Sequence, residues 1–102
     1  MYIIEKTEIF DNWLKKLRNY TAKAKILAKL KMISLGSLGD HKSVGGGIFE
    51  IRINYGPGYR LYYSMKGHHV LLLIIGGTKS QQQKDITRAK KIKCELEAKN
   101  DY

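Results

Sequence analysis

Cysteine occurs once, as Cys94, so no intramolecular disulfide and no cysteine-based metal cluster is expected. A cytosolic setting is the default for such a chain. Lying late in a helical stretch, Cys94 suits an inert, small apolar role better than that of a nucleophile. Proline also occurs once, at Pro57. Acidic residues are scarce: 9 Asp and Glu stand against 19 Lys and Arg, a net charge of +10 on 102 residues. A charge that large favours polyanionic partners such as nucleic acid, the ribosome or an acidic protein. No apolar run reaches the length of a membrane span, and Met1-Tyr2-Ile3-Ile4-Glu5 does not read as a signal peptide, so no membrane partner is expected. There is no Walker loop or dinucleotide glycine pattern, since Gly45-Gly46-Gly47 leads into a strand rather than a helix. The adjacent His68 and His69 point to opposite faces of a strand, with no Cys or carboxylate cluster around them. Neither a metal nor a cofactor is expected.

What is present centres on Gly47 to Gly77. Ile48 to Tyr55 alternates, with Phe49, Ile51, Ile53 and Tyr55 on one face and Glu50, Arg52 and Asn54 on the other. Gly56-Pro57-Gly58 turns the chain. Tyr59 to Met65 alternates again, with Arg60, Tyr62 and Ser64 opposite Tyr59, Leu61, Tyr63 and Met65. Lys66-Gly67 marks a hairpin turn. His68 to Ile75 is almost wholly apolar, as suits a strand covered on both faces.

Around this meander, Tyr2 to Lys6 forms a short strand. Thr7 caps a first helix to about Arg18, with a stripe of Phe10, Trp13, Leu14 and Leu17. Asn19 or Thr21 caps a second helix to about Leu35, with Ile26, Leu27, Leu30 and Ile33 inward, and the short connection pairs the two helices antiparallel. Gly36 stops it, and Ser37 to Gly46 reads as a loop. Ser80 and Gln83 have capping-box spacing for a final helix carrying Ile86, Ala89, Ile92 and Leu96 inward. Asn100-Asp101-Tyr102 reads as a frayed end. The expected class is α+β in one domain, residues 1–102, with the meander completing a four-stranded sheet. The helix pair covers the Ile51/Leu61 face. The face with Arg52, Arg60 and Tyr62 stays partly open, with the final helix at one rim.

Arg52 and Arg60 on adjacent strands gain nothing from each other but suit an anion, whose oxygens match their forked donors. Equally, they suit a solvated sheet face with Glu50 as partner. With Tyr59, Tyr62 and Lys79, the set is fit for RNA binding or for metal-free RNA cleavage by 2′-hydroxyl attack. The commoner role for the seven tyrosines is in the core.

The segments Gly39-Asp40-His41-Lys42-Ser43-Val44-Gly45, Phe49-Glu50-Ile51-Arg52-Ile53, Tyr55-Gly56-Pro57-Gly58-Tyr59-Arg60-Leu61-Tyr62-Tyr63 and Gly76-Gly77-Thr78-Lys79-Ser80, with Asp85-Ile86 and Ala89-Lys90, together resemble the RelE/HigB toxin superfamily, in its addiction module killer branch. The resemblance implies a RelE-like fold and a type II toxin that cuts mRNA in the A site of the 70S ribosome without a metal. It also implies neutralisation by a helix-turn-helix antitoxin, and operator DNA bound only through that antitoxin. By the same resemblance Arg60 stabilises the scissile phosphate, Arg52 is a basic residue on the preceding strand, and Lys79 is the basic residue before the last helix. The family's C-terminal catalytic tyrosine has no counterpart, because Asp85-Ile86 occupy that region. Lys79, His41, Tyr62 and Asp85 stand as candidates for general acid and base in no set order, and Lys42, Tyr59, Lys84 and Arg88 as RNA contacts. A non-catalytic RNA-, ribosome- or protein-binding member of the same fold is the alternative. The antitoxin is expected to bury the basic face or to wedge the first two helices apart.

Overall fold

The computed structural model describes residues 1–99, and the frayed end expected at Asn100, Asp101 and Tyr102 lies outside the described residues. The elements run β1 (Ile3–Lys6), α1 (Glu8–Lys16), α2 (Tyr20–Ser34), β2 (His41–Gly45), β3 (Ile48–Ile53), β4 (Tyr59–Lys66), β5 (Val70–Thr78), a 3-10 turn (Lys79–Gln81) and α3 (Gln82–Ala98). The strands form one sheet in the order β1-β5-β4-β3-β2. β1 runs parallel to β5, and the other neighbours are antiparallel. The class is α+β, as expected.

Both helix starts are set by side-chain caps. Thr7 Oγ1 accepts the Phe10 N–H at 3.0 Å and donates to the Ile74 carbonyl at 2.6 Å, so one hydroxyl starts α1 and ties it to β5. Asn19, rather than Thr21, caps α2, its Oδ1 accepting the Ala22 N–H at 3.0 Å. The two helices bury Phe10, Leu14, Ala22, Ile26 and Ile33 against Ile51, Leu61, Tyr63, Leu71 and Leu73. Leu27 departs from expectation. It lies about 100° around the helix from Ile26, off the buried stripe, and is exposed.

Three further expectations are corrected. Residues 41–45 are not loop but a fifth strand, paired with β3 through His41↔Ile51 and Lys42↔Glu50, with a bulge between Ser43 and Gly45. An edge strand exposed along most of its length, with only Val44 half-buried, needs backbone pairing but no apolar face, so its sequence carries no alternation signal. Ser80 does not cap α3. Its hydroxyl pairs with that of Thr78 at 3.1 Å, and the Lys79 N–H donates to the Gly58 carbonyl at 2.7 Å, so the chain makes a 3-10 turn before the helix begins. Finally, α3 is not confined to a rim. Ile86 and Ala89, with Ile92 and Leu96, pack across Ile48, Tyr62, Leu72, Ile74 and Ile75 and close most of the face expected to be open.

Thr7→Ala should lower stability by about 1–2 kcal/mol, the upper part of the range for a lost cap, because it also strips the Ile74 carbonyl of its partner. Urea unfolding checks this, and Thr7→Ser should recover most of the loss.

Candidate functional site

Arg52 and Arg60 are direct cross-strand partners in the β3–β4 register, which places both on the face that α3 covers. They are held differently. Arg52 is half-buried, and its Nε donates to Glu50 Oε1 at 2.9 Å. Glu50 is fully buried, and its Oε2 accepts from Gln82 Nε2 at 2.7 Å. One carboxylate thus joins the middle of β3 to the first turn of α3. Burial alone pushes the Glu50 carboxyl up. The hydrogen bonds from Gln82 and Arg52 and the Arg52 charge outweigh it and hold the carboxyl below the usual range. The same hydrogen bond holds the Arg52 guanidinium more firmly charged.

Arg60 has no carboxylate partner among the described hydrogen bonds and ion pairs. It is buried, its Nη1 donates to the Tyr59 carbonyl at 3.1 Å, and its Nε is sealed from solvent with no hydrogen-bond partner. Beside it lies Lys79, exposed at the start of the 3-10 turn. The two side chains meet at Gly58, whose φ is +79°. A Cβ there would lie 3.3 Å from Lys79 Cβ and 3.4 Å from Arg60 Nη1, so glycine serves both the turn and the close approach. With Asn54, Tyr55 and Pro57 these residues line an open pocket of about 250 Å³. Two cations, Arg60 and Lys79, thus line one open pocket, an arrangement that can receive a phosphate.

The remaining expected residues scatter around this centre. Tyr62 lies beneath α3, fully buried, so it cannot face a substrate as expected. Its hydroxyl makes no well-formed hydrogen bond, and burial together with the Glu50 charge pushes its ionisation well up. Tyr59 is no stacking platform either, because it is buried on the opposite face, edge-on to Trp13 at 6.4 Å. His41 pairs with Ile51, hence lies toward the helix-pair face, with its Nδ1 2.9 Å from the Gly39 carbonyl oxygen. Lys42, opposite Glu50, lies toward the arginine face at the exposed sheet edge. Lys84 and Arg88 are exposed on α3. Asp85 sits over Gly77, the β5 partner of Arg60. Burial raises its carboxyl against the pull of Arg88 and Lys84. The structure therefore brings together Arg52, Arg60 and Lys79, with Asp85 of α3 over Gly77 on the neighbouring strand. Gln82 was missed, because its partner is 32 residues away. Glu50 could be found from the β3 alternation, which sets it beside Arg52. Among the described residues no group of three or more His, Cys, Asp or Glu side chains is placed to hold a metal ion, and no helix is long and apolar enough to cross a membrane.

This architecture recurs in solved structures. A chain of the E. coli RelBE toxin–antitoxin complex superposes with a TM-score of 0.63 at 22% identity, over 76% of this chain and 96% of that one. The isolated E. coli RelE toxin gives 0.62 at 20% identity, over 86% and 98% of the two chains. E. coli YafQ gives 0.59 at 15% identity, over 80% and 98%. The fold is therefore that of the RelE-like toxins. In sequence, an uncharacterized protein of Haemophilus influenzae strain Rd is 50% identical over 93 residues, 91% of this chain and 94% of that one, and the chain belongs to the same family as that protein. No family model matches.

Buried Glu50 and half-buried Asp85 should leave opposite marks on the pH dependence of stability. Glu50, held low in the fold, contributes stability above its unfolded pKa that is lost as pH falls through the folded one. Asp85, held high, has the reverse sign: stability falls as pH rises from its unfolded pKa through the folded one. Glu50→Gln should therefore destabilise at neutral pH and converge on wild type in acid. Asp85→Asn should stabilise at neutral pH and lose that advantage in acid. Urea midpoints at several pH values check both.

Proposed function

We propose that the chain is the toxin of a type II toxin–antitoxin module, in the addiction module killer branch of the RelE/HigB superfamily, and that it cleaves mRNA in the ribosomal A site without a metal. The observation that carries this is Arg60 beside Lys79 at one open pocket, with Arg52 directly across the strands from Arg60. In the reaction the 2′-hydroxyl oxygen attacks its own phosphate, the bond to the 5′ oxygen breaks, and a 2′,3′-cyclic phosphate and a 5′-hydroxyl result. Arg60 and Arg52 stabilise the pentacoordinate phosphate. Of the proton-transfer candidates, Lys79 shares the pocket with Arg60, whereas Tyr62 is buried and His41 lies toward the other face.

A helix-turn-helix antitoxin is the proposed partner, and operator DNA is bound only through it. Supporting this, α2 carries four exposed large apolar residues, Tyr20, Leu27, Met32 and Leu35 at its C-cap, among lysines and no acidic residue. Such a surface suits an acidic amphipathic helix. The alternative, a member that occupies RNA or a partner without cutting it, is favoured by the burial of Tyr62, the phenol on the arginine face.

Primer extension on a translated message with purified ribosomes should show cuts in codon register, absent without ribosomes and suppressed by the partner. Arg60→Ala should reduce cleavage by about 10²–10³-fold, the effect of removing one transition-state donor. Ribosome binding without cuts would move the chain to the non-catalytic reading. Leu27→Glu should weaken antitoxin binding by about 2 kcal/mol, as expected for an anchor residue, and leave cleavage unchanged. Calorimetric titration measures the first and primer extension the second.

A further inference from the structure

The buried Glu50 carboxylate divides its two oxygens between two donors. Oε1 accepts from Arg52 Nε at 2.9 Å, and Oε2 accepts from Gln82 Nε2 at 2.7 Å. Glu50 and Arg52 stand two residues apart on β3, so both side chains lie on the face that α3 covers. Gln82 is half-buried and opens α3, directly after the 3-10 turn. That turn is anchored by the Lys79 N–H, which donates to the Gly58 carbonyl at 2.7 Å. One short segment therefore brings Lys79 beside Arg60 and, three residues on, Gln82 onto Glu50. Arg52 is held through Nε alone. Among the described hydrogen bonds and ion pairs, neither of its terminal Nη groups has a partner. Its side chain keeps 32% of its surface exposed, and neither Nη is sealed from solvent.

An arginine beside a carboxylate does not normally stop at one bond. The guanidinium fork carries parallel donors, and a carboxylate that meets Nε with one oxygen takes the neighbouring Nη with the other. Such a side-on pair would draw Arg52 onto Glu50 and spend a donor that another anion could use. Here the second oxygen is already occupied by Gln82. The occupant is a neutral amide, so the carboxylate keeps its charge and its hold on Arg52. The Tyr62 hydroxyl is the other donor near Glu50, and it makes no well-formed hydrogen bond there. We infer that Gln82 is a positioning residue for phosphate recognition: by taking Glu50 Oε2 it keeps Arg52 bonded through Nε only and leaves both Nη groups for the phosphate at Arg60 and Lys79. Gln82 acts through Glu50 and Arg52 and touches no reacting atom. Its effect on cleavage rests on the ribonuclease reading, whereas the sparing of the Arg52 donors does not.

The test joins nitrogen NMR of the arginine side chains to cleavage by the whole protein. Gln82→Met keeps the length of the side chain and loses the donor. Arg52 should then close side-on onto Glu50, and its Nη signals, averaged by rotation in wild type, should separate. Inorganic phosphate should shift the Arg52 signals of wild type and bind Gln82→Met about tenfold more weakly. Gln82→Lys returns a donor of similar reach and should recover most of both. On ribosomes, Gln82→Met should lower kcat, more than it alters KM, by about 10²-fold, the scale of a misplaced group. That loss should vanish in an Arg52→Ala background, because Gln82 acts through Arg52. An equal loss there would mark a merely structural role and overturn the inference. So would Arg52 Nη signals in Gln82→Met that match wild type. Cleavage by Gln82→Met as fast as wild type would sink this inference alone. The expected NMR and phosphate responses in a wild-type protein that does not cut would sink only the toxin reading.

Discussion

The end of β5 is the constraint on which much else depends. Gly76 and Gly77 present opposite faces of the sheet, and both are approached to contact. A Cβ on Gly76 would overlap the Trp13 ring, and one on Gly77 would overlap the Asp85 carboxylate. Without side chains at two consecutive positions, α1 and α3 can both descend onto bare backbone. Trp13 is thereby seated against Phe10 and Tyr59, which orders the core beneath the helix pair. On the other face Asp85 is brought down beside the strand position paired with Arg60. A cleft at the edge of β5 is walled by the two helices that approach there.

Electrostatics complete what packing begins. In a chain with a charge of +10, one fully buried carboxylate carries an unusual share of the organisation. Glu50 neutralises Arg52 and takes a hydrogen bond from Gln82, so its low pKa records how well it is satisfied. Arg60, directly across the strands, receives no such partner. Its sealed Nε, a buried donor without an acceptor among the described residues, carries a desolvation cost. The pair is thus asymmetric, with one arginine paired to a buried carboxylate and the other bonded only to a backbone carbonyl among the described interactions.

The chemistry of the site was legible in part. Alternation in β3 and β4 places Arg52 and Arg60 on one face, because a period of two leaves little freedom once Ile51 and Leu61 must be buried. The resemblance to the RelE/HigB toxins names Lys79, which the structure sets beside Arg60 at Gly58. Alternation also sets Tyr59 and Tyr62 on opposite faces, but neither source reveals that both are sealed, or that Gln82 reaches Glu50. An aromatic in an alternating strand reads the same whether a helix covers it or not.

By itself the sequence determined the local elements: two capped helices, a turn at Gly56-Pro57-Gly58, three antiparallel strands and a basic balance. These rest on interactions within a few residues, namely caps, turn dihedrals and side-chain periodicity, which neighbours in the chain express directly. Only the tertiary structure decided that residues 41–45 form a fifth strand, that Leu27 faces out, that α3 closes over the arginine face, and that a cleft opens beside Gly76. Each of these depends on which backbone edge or surface is left for a distant segment to cover, and a polar edge strand or an amphipathic helix carries no mark of the partner it will meet.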